Sequence, residues 1–362
     1  MIQWIKKINR SRNHHFKIYK FKLRLKLICI LSHRYTIRQK YTNHNKQVVI
    51  PFIGKGIGDA IVFTGLIEAL KNNDYQVTIV ADSKSHFLFK EWSIINNLFL
   101  YDTEEKSNTI QKLKKLGPFT FIDPHEITNS SIDTFNIIRN SKPIKSIGFN
   151  NKFSVYDHII EMSQPSGHIS NKCIDVLNYL DIEIAEYNYF VHIPDKNIKE
   201  SNELIKTANG KKIIIFNPFG GVKERFFSKD QITSILNYLS QFAEEFHVVI
   251  IGEQEKIKEI PNGNNVTKNT YTSFLTAAQL IKESQLVITP DTSIVHLSRA
   301  FNKRMVCFYP FKMLSDKLNN ADVWGPNYDA ALQVRLTETC LAEAKVELII
   351  AHIGSEIRKL QL

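Results

Sequence analysis

Between residues 47 and 310 the chain alternates two kinds of apolar pattern. Short runs that are apolar at every position are typical of strands buried on both faces of a parallel sheet. Longer segments with an apolar residue at every third or fourth position are typical of amphipathic helices. The predicted strands are 47–53, 76–81, 98–101, 119–123, 146–149, 212–217, 247–251, 286–289 and 305–309. The predicted helices are 60–70, 106–116, 174–180, 229–242, 272–283, 294–301 and a closing helical region at 336–362.

This alternation of strands and helices occurs twice, separated by a loop and a charged helix between residues 181 and 211. Two domains of ordinary size suit a chain of 362 residues. We therefore predict an α/β protein with two Rossmann-like domains facing a central cleft. The predicted segments are an N-terminal arm at 1–46, a first domain at 47–195, a second domain at 211–340 and a C-terminal helix at 341–362.

The N-terminal arm changes this picture, because residues 1–46 hold 13 Lys or Arg and no Asp or Glu. The rest of the chain has 34 basic against 36 acidic residues, so the net charge of +11 comes from the arm. Its apolar run is interrupted by Lys22, Arg24 and Lys26, which excludes a membrane span and a signal peptide. We predict a basic amphipathic segment on an anionic membrane surface. A solvated extension is the alternative; no nucleic-acid partner is expected, since no base-reading module follows.

The segment 286–310 contains a complete strand–helix–strand unit with candidate chemistry at its turn. Asp291, Thr292 or Ser293 can cap the helix, and His296 follows one turn later. The free N–H groups and the positive dipole end of a helix favour an anion such as a phosphate. Open α/β sheets bind ligands at this carboxyl end of their strands, so we predict an anion site here. An ordinary capped helix with a core histidine is the alternative.

A glycine-rich turn follows the first strand, from Gly54 to Asp59. It is neither a Walker loop, which needs Gly-Lys-Ser/Thr, nor a dinucleotide fingerprint, which needs glycine where Asp59 stands. The turn instead predicts one carboxylate at the mouth of the sheet, with an ordinary helix cap as the alternative. His125 follows the strand at 119–123 and is predicted to face the same side.

The loop after the mid-chain strand, from Asn217 to Arg225, combines two glycines with the cations Lys223 and Arg225. Such a turn suits a polyanion such as a diphosphate, although a solvated charged loop has the same composition. The four cysteines are scattered without metal-ligand spacing, which fits a reducing cytosol and predicts no disulfide framework.

Taken together, three motifs resemble glycosyltransferase family 9, the bacterial lipopolysaccharide heptosyltransferases. They are Gly58-Asp59, Asn217-Pro218 with Arg225 and Phe227, and Asp291-Thr292-Ser293-x-x-His296-Leu297. They follow in the family's order and at its separations between residues 48 and 310. The resemblance implies a GT-B fold, an acceptor held by the first domain, a nucleotide sugar held by the second, and metal-independent inverting transfer.

Residue by residue, the resemblance implies that Asp59 is the general base. The implied donor-binding residues are Asn217, Lys223, Arg225, Asp291, Thr292, Ser293 and His296. The acceptor-side candidates are Lys55, Gly56, Gly58 and His125. Arg225 stands where the family usually has Lys, so Lys223 can share or take over its role. Ser293 replaces the usual glycine, and Phe227-Ser228 replaces the usual Trp-Pro.

The expected function is transfer of heptose from ADP-heptose to a core sugar hydroxyl of lipopolysaccharide or lipooligosaccharide, with no cofactor or metal. The expected partners are the nucleotide sugar, a lipid-linked core oligosaccharide and an anionic membrane surface at residues 1–46. The expected location is the cytoplasm, peripheral on the inner face of the bacterial inner membrane. The alternatives are another nucleotide sugar in surface or capsular polysaccharide synthesis, a nucleotide-sugar epimerase, and a non-catalytic binding protein.

Overall fold

The computed structural model describes residues 16, 19–27, 30, 46–125, 131–149, 155–263, 265–315 and 317–361. Most of the predicted N-terminal arm therefore lies outside the described residues. Contacts divide the chain into two compact units. The first comprises the described residues of 1–55, 66–163 and 172–184, and the second those of 56–65, 164–171 and 185–362. Each unit contains a six-stranded sheet, and strands and helices are numbered here along the chain.

The first unit is built on a sheet with the order β3-β2-β1-β4-β5-β6, in which all neighbouring strands are parallel. Its strands are β1 (Gln47–Phe52), β2 (Gln76–Ala81), β3 (Asn97–Leu100), β4 (Thr120–Ile122), β5 (Lys145–Gly148) and β6 (His158–Ile159). Its helices are α1 (19–27), α3 (Thr64–Asn72), α4 (Lys106–Lys115), α5 (Ser131–Ser141) and α6 (Asn171–Tyr179). The strand order reverses between β1 and β4, so the carboxyl ends of these two strands border the switch point of the sheet.

The second unit repeats the plan with the order β14-β11-β10-β7-β8-β9, again with parallel neighbours. Its strands are β7 (Lys212–Phe216), β8 (Phe246–Ile250), β9 (Val266–Lys268), β10 (Leu286–Pro290), β11 (Met305–Tyr309), β14 (Ala331–Arg335) and the short pair β12 (Met313–Ser315) and β13 (Leu318–Asn319). Its helices are α2 (Ile57–Val62), α7 (Asp195–Lys206), α8 (Lys229–Ser240), α9 (Gln254–Ile257), α10 (Phe274–Glu283), α11 (Ser293–Ala300), α12 (Asn320–Val323) and α13 (Val346–Gln361). The predicted α/β class is confirmed.

Both sheets are buried on their two faces by apolar side chains. In the second unit Ile214, Phe216, Ile288 and Phe308 have no exposed surface and belong to one core cluster. Burial on both faces explains why these strands read as continuous apolar runs and why the sequence locates them well. The strand ends remain free to carry polar side chains.

The prediction of one continuous helix at 60–70 is wrong, because the chain forms two helices there, α2 and α3, separated at Phe63. The Tyr187 hydroxyl donates to the Val62 carbonyl at 2.7 Å, and the Thr64 hydroxyl donates to the Ile61 carbonyl at 2.6 Å. These two carbonyls therefore have side-chain partners at the break. The break also places α2 in the second unit by its contacts.

The closing helix begins at Val346, so the helical region predicted from residue 336 is wrong for 336–345. Leu336 instead continues the ladder beyond β14, since its N–H donates to the Tyr309 carbonyl at 2.9 Å. The Gln231 side-chain amide then donates to the carbonyls of Leu341 and Ala344 at 3.0 and 2.8 Å. Strand pairing and this amide occupy backbone groups that a helix would need. Within the described part of the chain, none of the helices is long and apolar enough to cross a membrane.

Candidate functional site

The turn between β10 and α11 positions the first group of candidate residues. Thr292 is the helix cap among the three candidates, because its hydroxyl accepts from the Ile294 N–H at 3.1 Å. The Asn217 side-chain amide donates to Thr289 at 2.9 Å, and it also reaches Thr292 at 3.4 Å. The loop after β7 is thereby fixed beside the N-terminus of α11. This N-terminus is a suitable place for an anion.

A buried ion pair lies next to this helix N-terminus. Arg225 Nη2 is 2.9 Å from Asp291 Oδ2, and Nη1 donates to the Asp291 carbonyl at 3.1 Å. The Asn320 side-chain amide donates to the same carboxylate oxygen at 2.7 Å. Burial raises the pKa of Asp291, while Arg225, Asn320 and Lys312 act in the opposite direction. Asp291 thus orients the guanidinium of Arg225 from both its backbone and its side chain.

The sequence around Arg225 explains how its loop is held. A Cβ on Gly220 would lie 2.5 Å from the Cβ of Arg225, so glycine is needed for the loop to fold back. Phe227 is buried against Phe216 and Phe308, which anchors the loop in the core. Ser228 caps α8 in a reciprocal capping box. The Phe-Ser pair therefore has a clear structural role here.

Asp59 lies in the first turn of α2, as its third helical residue. Its Oδ2 accepts a hydrogen bond from the N–H of Gly56, the helix cap, at 3.1 Å. The carboxylate therefore does contribute to the helix start, as the structural alternative proposed. This hydrogen bond also fixes the direction of the side chain, which lines a pocket.

Close contact between α2 and α11 brings Asp59 to the candidate anion site. A Cβ on Gly58 would lie 2.9 Å from His296 Cδ2 and 3.5 Å from the Cα of Ser293. Only a residue without a side chain permits this approach. The glycine that precedes Asp59 is thus explained by helix packing within the second unit.

Gly58→Ala is expected to reduce the sugar-transfer activity implied by the family resemblance roughly tenfold, because the new methyl group pushes α2 away from His296 and displaces Asp59. Overpacking of this kind costs about 1–3 kcal/mol of the free energy of unfolding. Steady-state kinetics and urea unfolding of the same preparation check both parts. Unchanged activity in a destabilised variant would show that the placement of α2 does not control the reaction.

His296 is a buried, neutral histidine that lines the same pocket. Burial, together with the nearby His168 and Arg299, lowers the pKa of His296 to about 3. Its ring lies beside Trp324, with the centroids 6.0 Å apart. Among the described residues, its Nδ1 has no hydrogen-bond partner. The ring edge with Cδ2 and Nε2 faces Gly58.

Stability is expected to fall as the pH is lowered below 6.5. Burial also lowers the pKa of His168 to about 4, so the folded state of both histidines resists protonation. The unfolded chain binds these protons from pH 6.5 downward, so stability present above pH 6.5 is lost as the pH falls toward 3. We expect on the order of 2 kcal/mol per histidine between pH 7 and pH 5, measured by urea unfolding. His296→Leu should flatten this dependence, whereas His352→Gln, outside the cluster, should not.

Two pockets of the second unit meet at the N-terminus of α11. The Asp59 pocket, of about 470 Å³, is lined by Gly56, Ile57, Gly58, Asp59, Gly221, Arg225, Asp291, Thr292, Ser293, His296, Lys312, Leu314, Asn320 and Trp324. The Gly252 pocket, of about 360 Å³, is lined by Ile57, Asn217, Phe219, Gly220, Gly221, Ile251, Gly252, Glu253, Asn269, Tyr271, Thr272, Ser273, Phe274, Ala277, Thr292, Ser293 and Ile294. The residues common to both pockets are Ile57, Gly221, Thr292 and Ser293. An elongated ligand can therefore extend from one pocket into the other across the start of α11.

Sequence reasoning missed much of the lining. Lys312, Asn320 and Trp324 follow β11 in a segment without a clear apolar period. Gly252 has φ +147°, a value that favours glycine, and it lies two residues after the end of β8. A glycine at the carboxyl end of a predicted strand was the signal available for the Gly252 pocket.

The other predicted site residues lie elsewhere. Lys223 is exposed and lines neither pocket, in contrast to Arg225 two residues later. Lys55 and His125 belong to the first unit. His125 is buried, with Nδ1 3.1 Å from Asp123 Oδ1, and the Tyr156 hydroxyl donates to Asp123 Oδ2 at 2.6 Å. Burial alone would raise the pKa of Asp123, but hydrogen bonds and charge from His125 and Tyr156 lower it.

Comparison of the sequence with models of protein families identifies the family of this chain. The model described as glycosyltransferase family 9 (heptosyltransferase) matches residues 139–347, more than half of the chain. The chain belongs to glycosyltransferase family 9. It is therefore a glycosyltransferase, and the resemblance seen in its motifs is confirmed. The matched range includes Asn217, Arg225 and the 291–296 motif, whereas Asp59 precedes it.

Individual relatives of this family 9 chain agree with the assignment. A protein of Escherichia coli K12 provisionally named lipopolysaccharide heptosyltransferase 4 is 23% identical over 299 residues, which cover 80% of this chain and 81% of that protein. A family 9 structure from Veillonella parvula is similar with a TM-score of 0.69 and 17% identity, covering 87% of this chain and 98% of that one. E. coli ADP-heptose heptosyltransferase II is similar with a TM-score of 0.68 and 13% identity, covering 87% and 100%. These structures confirm the GT-B fold class.

Proposed function

We propose that this family 9 enzyme transfers a heptose from ADP-heptose to a core sugar hydroxyl of lipopolysaccharide or lipooligosaccharide. The observation that carries the proposal is the shared pocket of Asp59, Arg225 and the N-terminus of α11. A carboxylate, a guanidinium and the positive end of a helix are three kinds of group that can promote transfer from a nucleotide sugar. The E. coli relatives named for heptosyl transfer and for ADP-heptose support this donor.

The donor is proposed to lie across both pockets. Its diphosphate sits at the start of α11, which both pockets share, where the helix dipole and Arg225 favour negative charge. The nucleoside extends into the Gly252 pocket, and the sugar extends toward Asp59. Neutral His296 borders the sugar end and adds no charge there at neutral pH.

In the proposed reaction Asp59 takes the proton of the acceptor hydroxyl as its oxygen attacks the anomeric carbon. The bond between that carbon and the diphosphate breaks as the new glycosidic bond forms, so a single displacement inverts the anomeric centre. The departing ADP carries the bonding electrons, and Arg225 with the N–H groups of α11 stabilises its charge. These fixed donors let the proposed reaction proceed without a metal.

The acceptor is proposed to be lipid-linked, which places the enzyme at the cytoplasmic face of the inner membrane. The excess of positive charge in residues 1–46 supports attraction to anionic lipids. Because ADP-heptose is a water-soluble co-substrate, only the acceptor requires this location.

The proposal is tested by incubating the purified enzyme with ADP-heptose and a truncated core acceptor in the presence of EDTA. A mass increase of one heptose in the acceptor, with inverted configuration by NMR, is the expected result. Comparing ADP-heptose with ADP-glucose tests the preference for the sugar. Comparing ADP-glucose with UDP-glucose tests the preference for the nucleotide. Transfer from either of these in preference to ADP-heptose would assign another donor. Consumption of donor without any acceptor would indicate an epimerase instead.

A further inference from the structure

Helix α1 and the described helical positions 16 and 30 beside it expose a stripe of large apolar side chains. They are Phe16, Tyr19, Leu23, Leu27 and Ile30, and each is between 52% and 66% exposed. Their spacing of three and four residues is that of one helix face. With 3.6 residues per turn, Tyr19, Leu23 and Leu27 fall within roughly 80° of the helix circumference. Water-exposed apolar stripes of this kind mark a surface that binds something.

The opposite face of α1 is already occupied. Leu25 is only 2% exposed and belongs to the core of the first unit together with Val49 and Phe121, and Phe21 packs against the same cluster. Leu25 lies roughly 160° around the helix from Leu23 and Leu27. The helix is thus apolar on two faces, of which the protein core covers one. Docking by Leu25 fixes the direction of the exposed face relative to the first unit.

Basic side chains border the exposed stripe on both sides. Lys20 and Arg24 lie on one flank and Lys22 and Lys26 on the other, and all four are exposed. Residues 1–46 contain no acid that would neutralise them. Long cationic side chains can bury their stems beside an apolar stripe and hold their charge at the level of lipid headgroups.

We propose that α1 lies in the plane of an anionic lipid bilayer, with Tyr19, Leu23 and Leu27 inserted and Leu25 tying the helix to the first unit. The inference deepens the proposed function, on which its biological purpose rests, because it names the surface that meets the membrane holding the acceptor. A second copy of α1 is the competing occupant, since this spacing also suits a coiled coil. Pairing would bring two like-charged flanks together, whereas an anionic bilayer supplies the opposite charge. The charge pattern therefore favours the bilayer.

The test uses the full-length enzyme and vesicles of phosphatidylcholine with about 30% phosphatidylglycerol, whose negative surface potential attracts basic segments. The double variant Leu23→Ser/Leu27→Ser is expected to bind these vesicles at least about tenfold more weakly in a sedimentation assay. Leu348→Ser is the matched control, because this leucine is 42% exposed on α13 of the second unit and is not part of the stripe. It should bind like the wild type. Vesicles of phosphatidylcholine alone should bind the wild type about tenfold more weakly.

Stability measurements separate this surface from the core. The double variant should keep the wild-type unfolding midpoint, whereas Leu25→Ala should lower it because it leaves a cavity. Wild-type vesicle binding by the double variant would overturn the proposal, as would absence of binding by the wild type. A wild-type dimer in analytical ultracentrifugation that the double variant abolishes would assign the stripe to a second copy and overturn it as well.

Failure of the proposed α1 surface can be distinguished from failure of the proposed function. Transfer to a soluble core acceptor does not need the bilayer, so the double variant should retain it. If the double variant lost vesicle binding and neither it nor the wild type transferred heptose, the α1 surface would be supported and the proposed reaction refuted. If the wild type and the double variant both transferred heptose and bound vesicles equally well, the proposed reaction would be supported and the α1 surface refuted.

Discussion

Asp59→Asn is expected to lower the rate of sugar transfer by roughly 100- to 10,000-fold, the usual contribution of a general base. Asparagine preserves the shape of the side chain and can still accept from the Gly56 N–H, so α2 should keep its start. Donor binding should therefore stay within about twofold of wild type, because the charge lost is not needed for the diphosphate. Single-turnover kinetics and donor titration by calorimetry measure the two quantities separately.

Asp322→Asn is the matched control for this variant. Asp322 is a half-exposed carboxylate on α12 that pairs with Arg335 and does not line the Asp59 pocket. Its replacement should leave transfer unchanged. If Asp59→Asn transferred sugar at the wild-type rate, Asp59 would be a helix-capping residue only, and the reaction would need another base.

Arg225→Gln is expected to weaken donor binding about 10- to 100-fold, the value of one or two charge-assisted hydrogen bonds. The same change leaves the buried Asp291 without its partly exposed cation, so the free energy of unfolding should also fall by about 1–3 kcal/mol. Calorimetric titration with ADP and urea unfolding measure these effects. Arg225→Lys should recover part of the affinity for ADP, because it restores the charge without the bidentate fork.

Two exposed lysines close to Arg225 in the sequence, Lys229 and Lys223, provide the control and the competing assignment for this prediction. Lys229, exposed at the start of α8 and outside the Asp59 and Gly252 pockets, is the control whose change to Ala should not alter ADP affinity. Lys223→Ala decides the alternative that the sequence left open. An effect on ADP affinity as large as that of Arg225→Gln would assign the phosphate contact to Lys223 and contradict the position of Arg225.

The main strands of both sheets could be predicted from the sequence because burial on both faces makes each one a continuous apolar run. Met305–Tyr309 and Gln76–Ala81 were located to the residue. The short edge strands β6 and β9 were missed, since two or three partly buried residues give no period. Residues 331–335 were missed for a different reason. They form an edge strand of mixed polarity, and their place is set by pairing with β11 rather than by their own pattern.

The candidate site was predictable where a motif coincides with a strand end, and less so elsewhere. Asp59, Arg225 and the 291–296 motif follow predicted strands and line one pocket. The choice between Lys223 and Arg225 could not be made, because it depends on a close contact between Gly220 and Arg225. Asn320 was likewise invisible, since its role comes only from a hydrogen bond to Asp291 across 29 residues of chain.

Helix α2 groups by its contacts with the second unit, although the chain on either side of it, 46–55 and 66–125, groups with the first. A fragment beginning at residue 185 would keep Arg225, Asp291 and the cap of α11, yet would lack both Asp59 and the helix covering His296. Excising this segment alone would thus separate the proposed donor site from the proposed base. Chimeras between relatives have to exchange residues 56–65 together with the later segment if the proposed base and the proposed donor site are to stay matched.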